Sequence, residues 1–233
     1  MNKTNTLTPS TADNIAFLLP TLNEEDSVKR MILNIKQNYQ GLLFIVDGFS
    51  TDNTVKIATE LGVPVYSRLA YGKGSAIQKA LEIAALHGKE YLLFTDCDMS
   101  YDPNNIMDIL HDLDKYDLVI GVRPLKTIGS VSRRVGNVIA TAIINIIYKG
   151  KVQDSLSGFK CLRVNKFKPL IKEDGFVVES LICLYALKYN MSINLVPINY
   201  YERVGTSKMS TAQGIKELIK LIKTIWADRV WRS

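Results

Sequence analysis

Short apolar runs recur through the first half of the chain, and helix-length segments of mixed polarity follow them. Ile15-Ala16-Phe17-Leu18-Leu19, residues 42–46, Val63-Pro64-Val65-Tyr66, residues 91–95 and Leu118-Val119-Ile120 read as strands buried on both faces. A strand with one wet face would alternate polar and apolar residues instead. Between them, residues 24–38, 52–61 and 73–87 predict helices. The second and third of these end at Gly62 and Gly88, where a left-handed cap suits glycine. Pro103 opens another helix at the first-turn position it tolerates best. This order predicts an α/β fold, a mostly parallel Rossmann-like sheet flanked by helices on both faces. Such sheets bind ligands beyond the carboxyl ends of their strands.

The second half is less regular. Residues 133–148 and 176–189 predict helices and residues 193–198 a strand. Residues 211–231 predict a final helix with Ile215, Leu218, Ile219, Ile222, Ile225 and Trp226 on one side and Lys216, Lys220 and Lys223 on the other. The expected division is a loose polar tail over 1–14, one α/β domain over 15–210 and an amphipathic C-terminal helix over 211–233. No secretory signal is expected in the tail. The longest apolar stretch, residues 138–148, is about half of what a membrane-spanning helix needs. Three scattered cysteines, Cys97, Cys161 and Cys183, make no even framework and favour a reducing compartment.

Charge is unevenly placed within a net +6. Residues 122–153 hold six Lys or Arg and no acid, residues 203–233 hold seven against two acids, and residues 90–117 are strongly acidic. Basic stretches of this kind bind phosphate, whether in nucleic acid, a nucleotide or an anionic membrane. Base-stacking aromatics do not interleave with the 123–151 stretch, which argues against a nucleic-acid module.

The acidic stretch carries the sharpest motif. Asp96-Cys97-Asp98 follows directly on Tyr91-Leu92-Leu93-Phe94-Thr95, so two carboxylates fall at a strand's carboxyl end. Hard cations such as Mg²⁺ or Mn²⁺ take oxygen ligands and bridge carboxylates to a substrate diphosphate. Asp47 ends an earlier strand and is suited to accept hydrogen bonds from a nucleobase or ribose. Asp52 is expected to cap its helix, and His87 and His111 to be structural. Gly72-Lys73-Gly74 has a phosphate-loop look but lacks Walker A spacing. Arg123, Arg133, Arg134, Arg203 and Lys208 supply the cations that two opposed anions would require.

Read in order, Pro20-Thr21-Leu22-Asn23-Glu24, Asp47-Gly48-Phe49-Ser50-Thr51-Asp52-Asn53-Thr54, Arg68 with Gly72-Lys73-Gly74-Ser75-Ala76, Asp96-Cys97-Asp98, Gly121-Val122-Arg123, Ser132-Arg133-Arg134, Asp154 with Ser157-Gly158-Phe159, Glu179 and Arg203-Val204-Gly205-Thr206-Ser207-Lys208 resemble the family 2 GT-A glycosyltransferases. The resemblance is greatest to the polyprenyl (dolichyl) phosphate mannose synthase branch and covers residues 15–209. It implies a GT-A fold and inverting, metal-dependent transfer of a hexose, GDP-mannose being the expected donor, to polyprenyl or dolichyl phosphate. It further implies a nucleotide site of Pro20, Leu22, Glu24, Asp47, Lys73, Thr95, Cys97, Arg203 and Lys208. Asp96, Asp98 and Ser100 would hold Mg²⁺ or Mn²⁺. Ser132, Arg133 and Arg134 would hold the acceptor phosphate, with Asp154 and Arg123 completing the catalytic set. The implied place is the cytoplasmic face of a membrane, on its surface, and a membrane-embedded partner subunit is compatible with that.

The chain departs from the pattern in three places. One carboxylate, Asp47, stands where the family often has two; Met99-Ser100 replaces a frequent Leu-Gln; and the terminal motif is one residue shorter. These leave open a UDP-glucose-dependent polyprenyl phosphate glucosyltransferase. A sugar-nucleotide pyrophosphorylase would carry a glycine-rich loop where Pro20-Thr21-Leu22-Asn23-Glu24 stands.

Overall fold

The structure is a computed structural model that describes residues 13–205 and 210–230. Its strands are β1 (Ile15–Thr21), β2 (Leu42–Asp47), β3 (Val65–Ser67), β4 (Tyr91–Phe94), β5 (Leu118–Val122), β6 (Lys160–Arg163) and β7 (Ile193–Pro197). They form one sheet in the order β3-β2-β1-β4-β6-β5-β7. β6 runs antiparallel to β4 and β5, and the other pairings are parallel. Strand order reverses between β1 and β4, so the crevice where such sheets bind ligands opens at their carboxyl ends.

The helices are α1 (Glu25–Asn38), α2 (Thr54–Glu60), α3 (Lys73–Leu86), α4 (Ile106–Leu110), α5 (Val131–Tyr148), α6 (Val164–Phe167), α7 (Val178–Lys188) and α8 (Thr211–Val230). Pro103 opens a 3₁₀ turn, Pro103–Asn105, ahead of α4 rather than a long helix. Side chains of β1 alternate between two faces. Ile15, Phe17 and Leu19 pack with Val28, Met31, Ile32 and Ile35 of α1. Ala16 and Leu18 pack with Ala76, Ile77, Ala80 and Leu81 of α3. Each large apolar side chain taken fully out of water contributes about 1.5–3 kcal/mol, which is why uniformly apolar runs become central strands.

A third layer lies over α7. Ala140 and Ile144 of α5, Leu181 and Leu184 of α7, and Leu221 and Ile225 of α8 form their own buried cluster. The final helix therefore divides its apolar residues. Leu221 and Ile225 point inward, while Ile215, Ile219, Ile222 and Trp226 are exposed. No helix of the described residues is long and apolar enough to cross a membrane.

Candidate active site

Three strands end in strained turns on the same edge. Asn23 after β1, Phe49 after β2 and Met99 after β4 have φ of 53°, 67° and 63°. Asparagine tolerates this region, but bulky Phe and Met side chains do not adopt it without support from their surroundings. The turns bend the chain sharply enough to leave Asp47, Glu24, Asp96 and Asp98 around one crevice.

Asp47 is 4% exposed. Its carboxylate accepts from Thr21 Oγ1 at 2.9 Å and from the Ser50 amide at 2.8 Å, and also from Ser50 Oγ. It thus fixes the turn and retains one acceptor position for a ligand, since an ionised carboxylate offers about four. Arg68 lies beside it, donating to Gly48 O at 3.0 Å and standing 5.1 Å from the Tyr71 ring centroid. Asp52 lies one residue ahead of Asn53, the N-cap of α2, and its Oδ1 accepts from the Thr54 amide at 2.9 Å.

The carboxylate pair is electrostatically divided. Burial pushes Asp96 up, but the Lys73 ammonium, with Arg123 and Arg203 behind it, holds it below the usual carboxylate range. Burial and then the charge on Asp96 push Asp98 above that range, against the pull of Ser100 and Arg203. Two like charges so close cannot both be comfortably ionised without a cation. Arg203 Nη2 is 3.3 Å from Asp98 Oδ2 and 4.0 Å from Glu24 Oε1, while its buried Nε has no hydrogen-bond partner among the described residues. The main chain ties this strap down, with Val204 N donating to Asp98 O at 2.8 Å and Tyr201 N to Ser100 O at 2.8 Å.

Lys73 is placed differently from a phosphate-loop lysine. Its ammonium pairs with Asp96 and, at 2.5 Å, with Glu179 Oε1 on α7. Burial would lower its pKa, but these two carboxylates raise it, so it stays charged. The glycines on either side serve packing: a Cβ on Gly74 would sit 1.9 Å from Glu173 O. Glu179, quoted within the sequence pattern without a role, thus becomes part of the site. The Cys97 side chain is 2% exposed and lies within the core layer of α1. Thr95 is likewise buried. Ser100 is fully buried and donates its hydroxyl to Asp98 Oδ1, which orients that carboxylate.

On the other side of the crevice Arg123 directly follows β5. Its guanidinium grips Asp154 with two bonds, Nε to Oδ2 at 2.7 Å and Nη2 to Oδ1 at 2.8 Å, and its amide adds a third at 3.2 Å. Burial pushes the Asp154 carboxyl up, and Arg123 more than reverses this, so it stays low and ionised. Ser132, Arg133 and Arg134 fall in the first turn of α5, which contains no acid. Arg134 donates to Ile128 O and Gly129 O, both at 3.1 Å. Pro20 and Leu22 are half-buried at the end of β1. Lys208 and Trp231 lie outside the described residues.

The switch point of the sheet is thus rimmed, at the carboxyl edge, by an acidic pair and arginines. The pattern of glycosyl transferase family 2 matches residues 16–171, and the chain belongs to that family. It is 30% identical over 204 residues to glycosyltransferase AglJ of Haloferax volcanii, covering 83% of this chain and 65% of that protein. It is 29% identical over 216 residues to a dolichyl-phosphate hexose transferase of the same organism, covering 89% of this chain and 92% of that one. Among solved structures it resembles glucosyl-3-phosphoglycerate synthase of Mycobacterium tuberculosis, in complex with Mn²⁺, UDP and glucosyl-3-phosphoglycerate. The TM-score there is 0.70 at 25% identity, over 90% of this chain and 80% of that one. The fold is the GT-A fold, and the chain is a glycosyltransferase.

Proposed function

We propose that this enzyme transfers a hexose, with inversion, from a nucleoside diphosphate sugar to a polyprenyl phosphate at the cytoplasmic surface of a membrane. The observation that carries the acceptor is the make-up of α5. Its first turn holds Arg133 and Arg134, and the same helix exposes Val131, Val135, Val138, Ile139 and Ile146. Phosphate-binding cations at the root of an exposed apolar helix match a phosphate joined to a hydrocarbon chain. Cations in a first turn oppose the helix dipole, a cost that a bound anion would offset. Residues 15–210 form the catalytic unit in this reading, and α8 adds its outward apolar residues to the membrane-facing surface.

Asp96 and Asp98 fit a divalent cation. Both offer hard oxygen, and the raised Asp98 carboxyl is a charge that a dication would relieve. No cluster of three ligating His, Cys, Asp or Glu exists among the described residues, which suits Mg²⁺ or Mn²⁺ completed by substrate phosphate and water. When bound, the metal supplies positive charge to the departing diphosphate. The protein does the remainder. Lys73 keeps Asp96 ionised and fixed, and Arg203 lies within reach of the same phosphates. Asp154, ionised and held low by Arg123, has no proton to give and is a poor base, and it instead aims Arg123. A phosphate acceptor is already an anion at neutral pH, so alignment and charge stabilisation replace a general base.

The resemblance in the sequence favours GDP-mannose as donor. UDP-glucose is a second reading, supported by the UDP in the similar synthase. Incubation with radiolabelled GDP-mannose or UDP-glucose, polyprenyl phosphate and Mg²⁺ or Mn²⁺ tests the proposal. Label entering the organic phase with one donor, and lost on chelation, supports it. Failure of every donor to label the lipid overturns it.

A further inference from the structure

Lys160 begins β6, the one strand that runs against the others, so it sits at the same edge as the catalytic carboxylates. It is 0% exposed, an expensive place for a charge unless its hydrogen bonds are satisfied. Its ammonium donates to two main-chain carbonyls of the preceding loop, Ser155 O at 3.2 Å and Ser157 O. Methionine would fill similar volume without a buried charge, so the charge calls for an explanation in what it holds.

It holds a loop that touches everything around it. The Ser155 amide donates to Thr141 Oγ1 at 3.1 Å and the Leu156 amide to Asn137 Oδ1 at 3.3 Å, both on α5. Ser157 Oγ donates to Gly121 O at 2.5 Å, and the Gly158 amide to Tyr101 Oη at 2.6 Å. Asp154, which aims Arg123, opens the loop. Gly158 closes it against the acidic pair: a Cβ there would lie 2.5 Å from Asp96 Oδ2 and 3.0 Å from Lys73 Nζ. One short segment therefore joins the helix carrying Arg133 and Arg134 to the Asp96 carboxylate, two residues beyond β4.

We propose that Lys160 is a positioning residue. Its ammonium gathers the Ser155 and Ser157 carbonyls and thereby sets where residues 154–158 hold Arg123 and Asp96 relative to one another. It touches neither substrate. The inference rests on the site being that of the transferase, and its test includes a readout that needs no catalysis.

The variants are Lys160→Met and Lys160→Arg in the full chain. Hydrogen–deuterium exchange of the peptide covering residues 152–160 should speed at least tenfold in Lys160→Met, with the central strands unchanged. On whichever donor the wild type uses, kcat should fall at least tenfold while donor KM stays within about threefold, and Lys160→Arg should recover part of kcat. Unaltered loop exchange overturns the proposal, as does faster exchange with unaltered kcat, which would leave Lys160 a structural staple. Should Lys160→Met fail to fold, Gly158→Ala displaces the same loop from Asp96. It should lower kcat at least tenfold, and retention of kcat within twofold overturns the idea. Absence of transfer by the wild type would count against the proposed reaction, while the exchange result would still decide the role of Lys160.

Discussion

Replacing Asp154 by leucine leaves the Arg123 guanidinium in a site where its side chain is 9% exposed and its partner was 2% exposed. Breaking a buried pair from one side costs about 3–5 kcal/mol, because the remaining charge has lost both water and partner. Asp154→Leu should sit at the top of that range, since the Arg123 amide also loses its acceptor. Arg123→Met keeps that amide bond and loses its stacking on Tyr200, 5.2 Å from the ring centroid, so it should fall lower. In a chain of 233 residues, where 1 kcal/mol moves Tm by about 2–4 °C, each single change should lower Tm by about 6–20 °C. The double variant removes both charges together and should lose far less than the sum. Urea unfolding of the four proteins measures the coupling directly. Additivity within about 0.5 kcal/mol would refute the pair as a buried unit. All three variants should lose transfer, because Arg123 is either gone or no longer aimed.

The acid limb of stability should report the same carboxylate. The folded pKa of Asp154 is depressed, so its contribution is present above the ordinary carboxylate value of about 3.9 and is lost as pH falls through the lower folded value. Asp154→Asn should flatten the decline of stability below about pH 4, and an unchanged slope in acid titrations followed by circular dichroism would exclude it. Asp98→Ala should reduce metal-dependent transfer to less than a tenth, a loss above about 1.4 kcal/mol. Its Tm should change only modestly, because relief of a charge that burial and Asp96 disfavour offsets the acceptor lost to Ser100 and Arg203; a large drop in Tm would make Asp98 structural. Ile219→Glu with Trp226→Glu changes side chains 48% and 69% exposed. It should leave Tm nearly unchanged while weakening flotation with anionic vesicles. Leu221→Ala on the inward side of α8 should instead cost about 2–5 kcal/mol.

The central strands were legible because burial on both faces leaves uniformly apolar runs, and β1, β2, β4 and β5 fall where those runs lie. β6 was not. Lys160-Cys161-Leu162-Arg163 is four residues bounded by two cations, and only tertiary contacts make its lysine a core residue. The carboxyl edge was legible from Asp47, Asp96 and Asp98, since strand ends are marked by the last apolar residue. Partner choice was not legible. No spacing rule joins Lys73 to Glu179, which are 106 positions apart, or shows that Ser100 serves Asp98. The inward turn of Cys97 was not legible either, because the strand ends at Phe94 and every residue from 94 to 100 except Asp96 is buried. For α8 the heptad-like apolar stripe was visible, but its division into a buried line and an exposed line depends on where α5 and α7 lie.

The acceptor is the claim on which the account turns. Wild-type protein, its preferred radiolabelled sugar nucleotide and Mn²⁺ can be offered polyprenyl phosphate in anionic vesicles, or soluble 3-phosphoglycerate at equal phosphate concentration. The account predicts label in the organic phase with the lipid and none above background with the soluble acid. Label confined to an aqueous phosphoglycerate product, with the lipid unmarked, would contradict it.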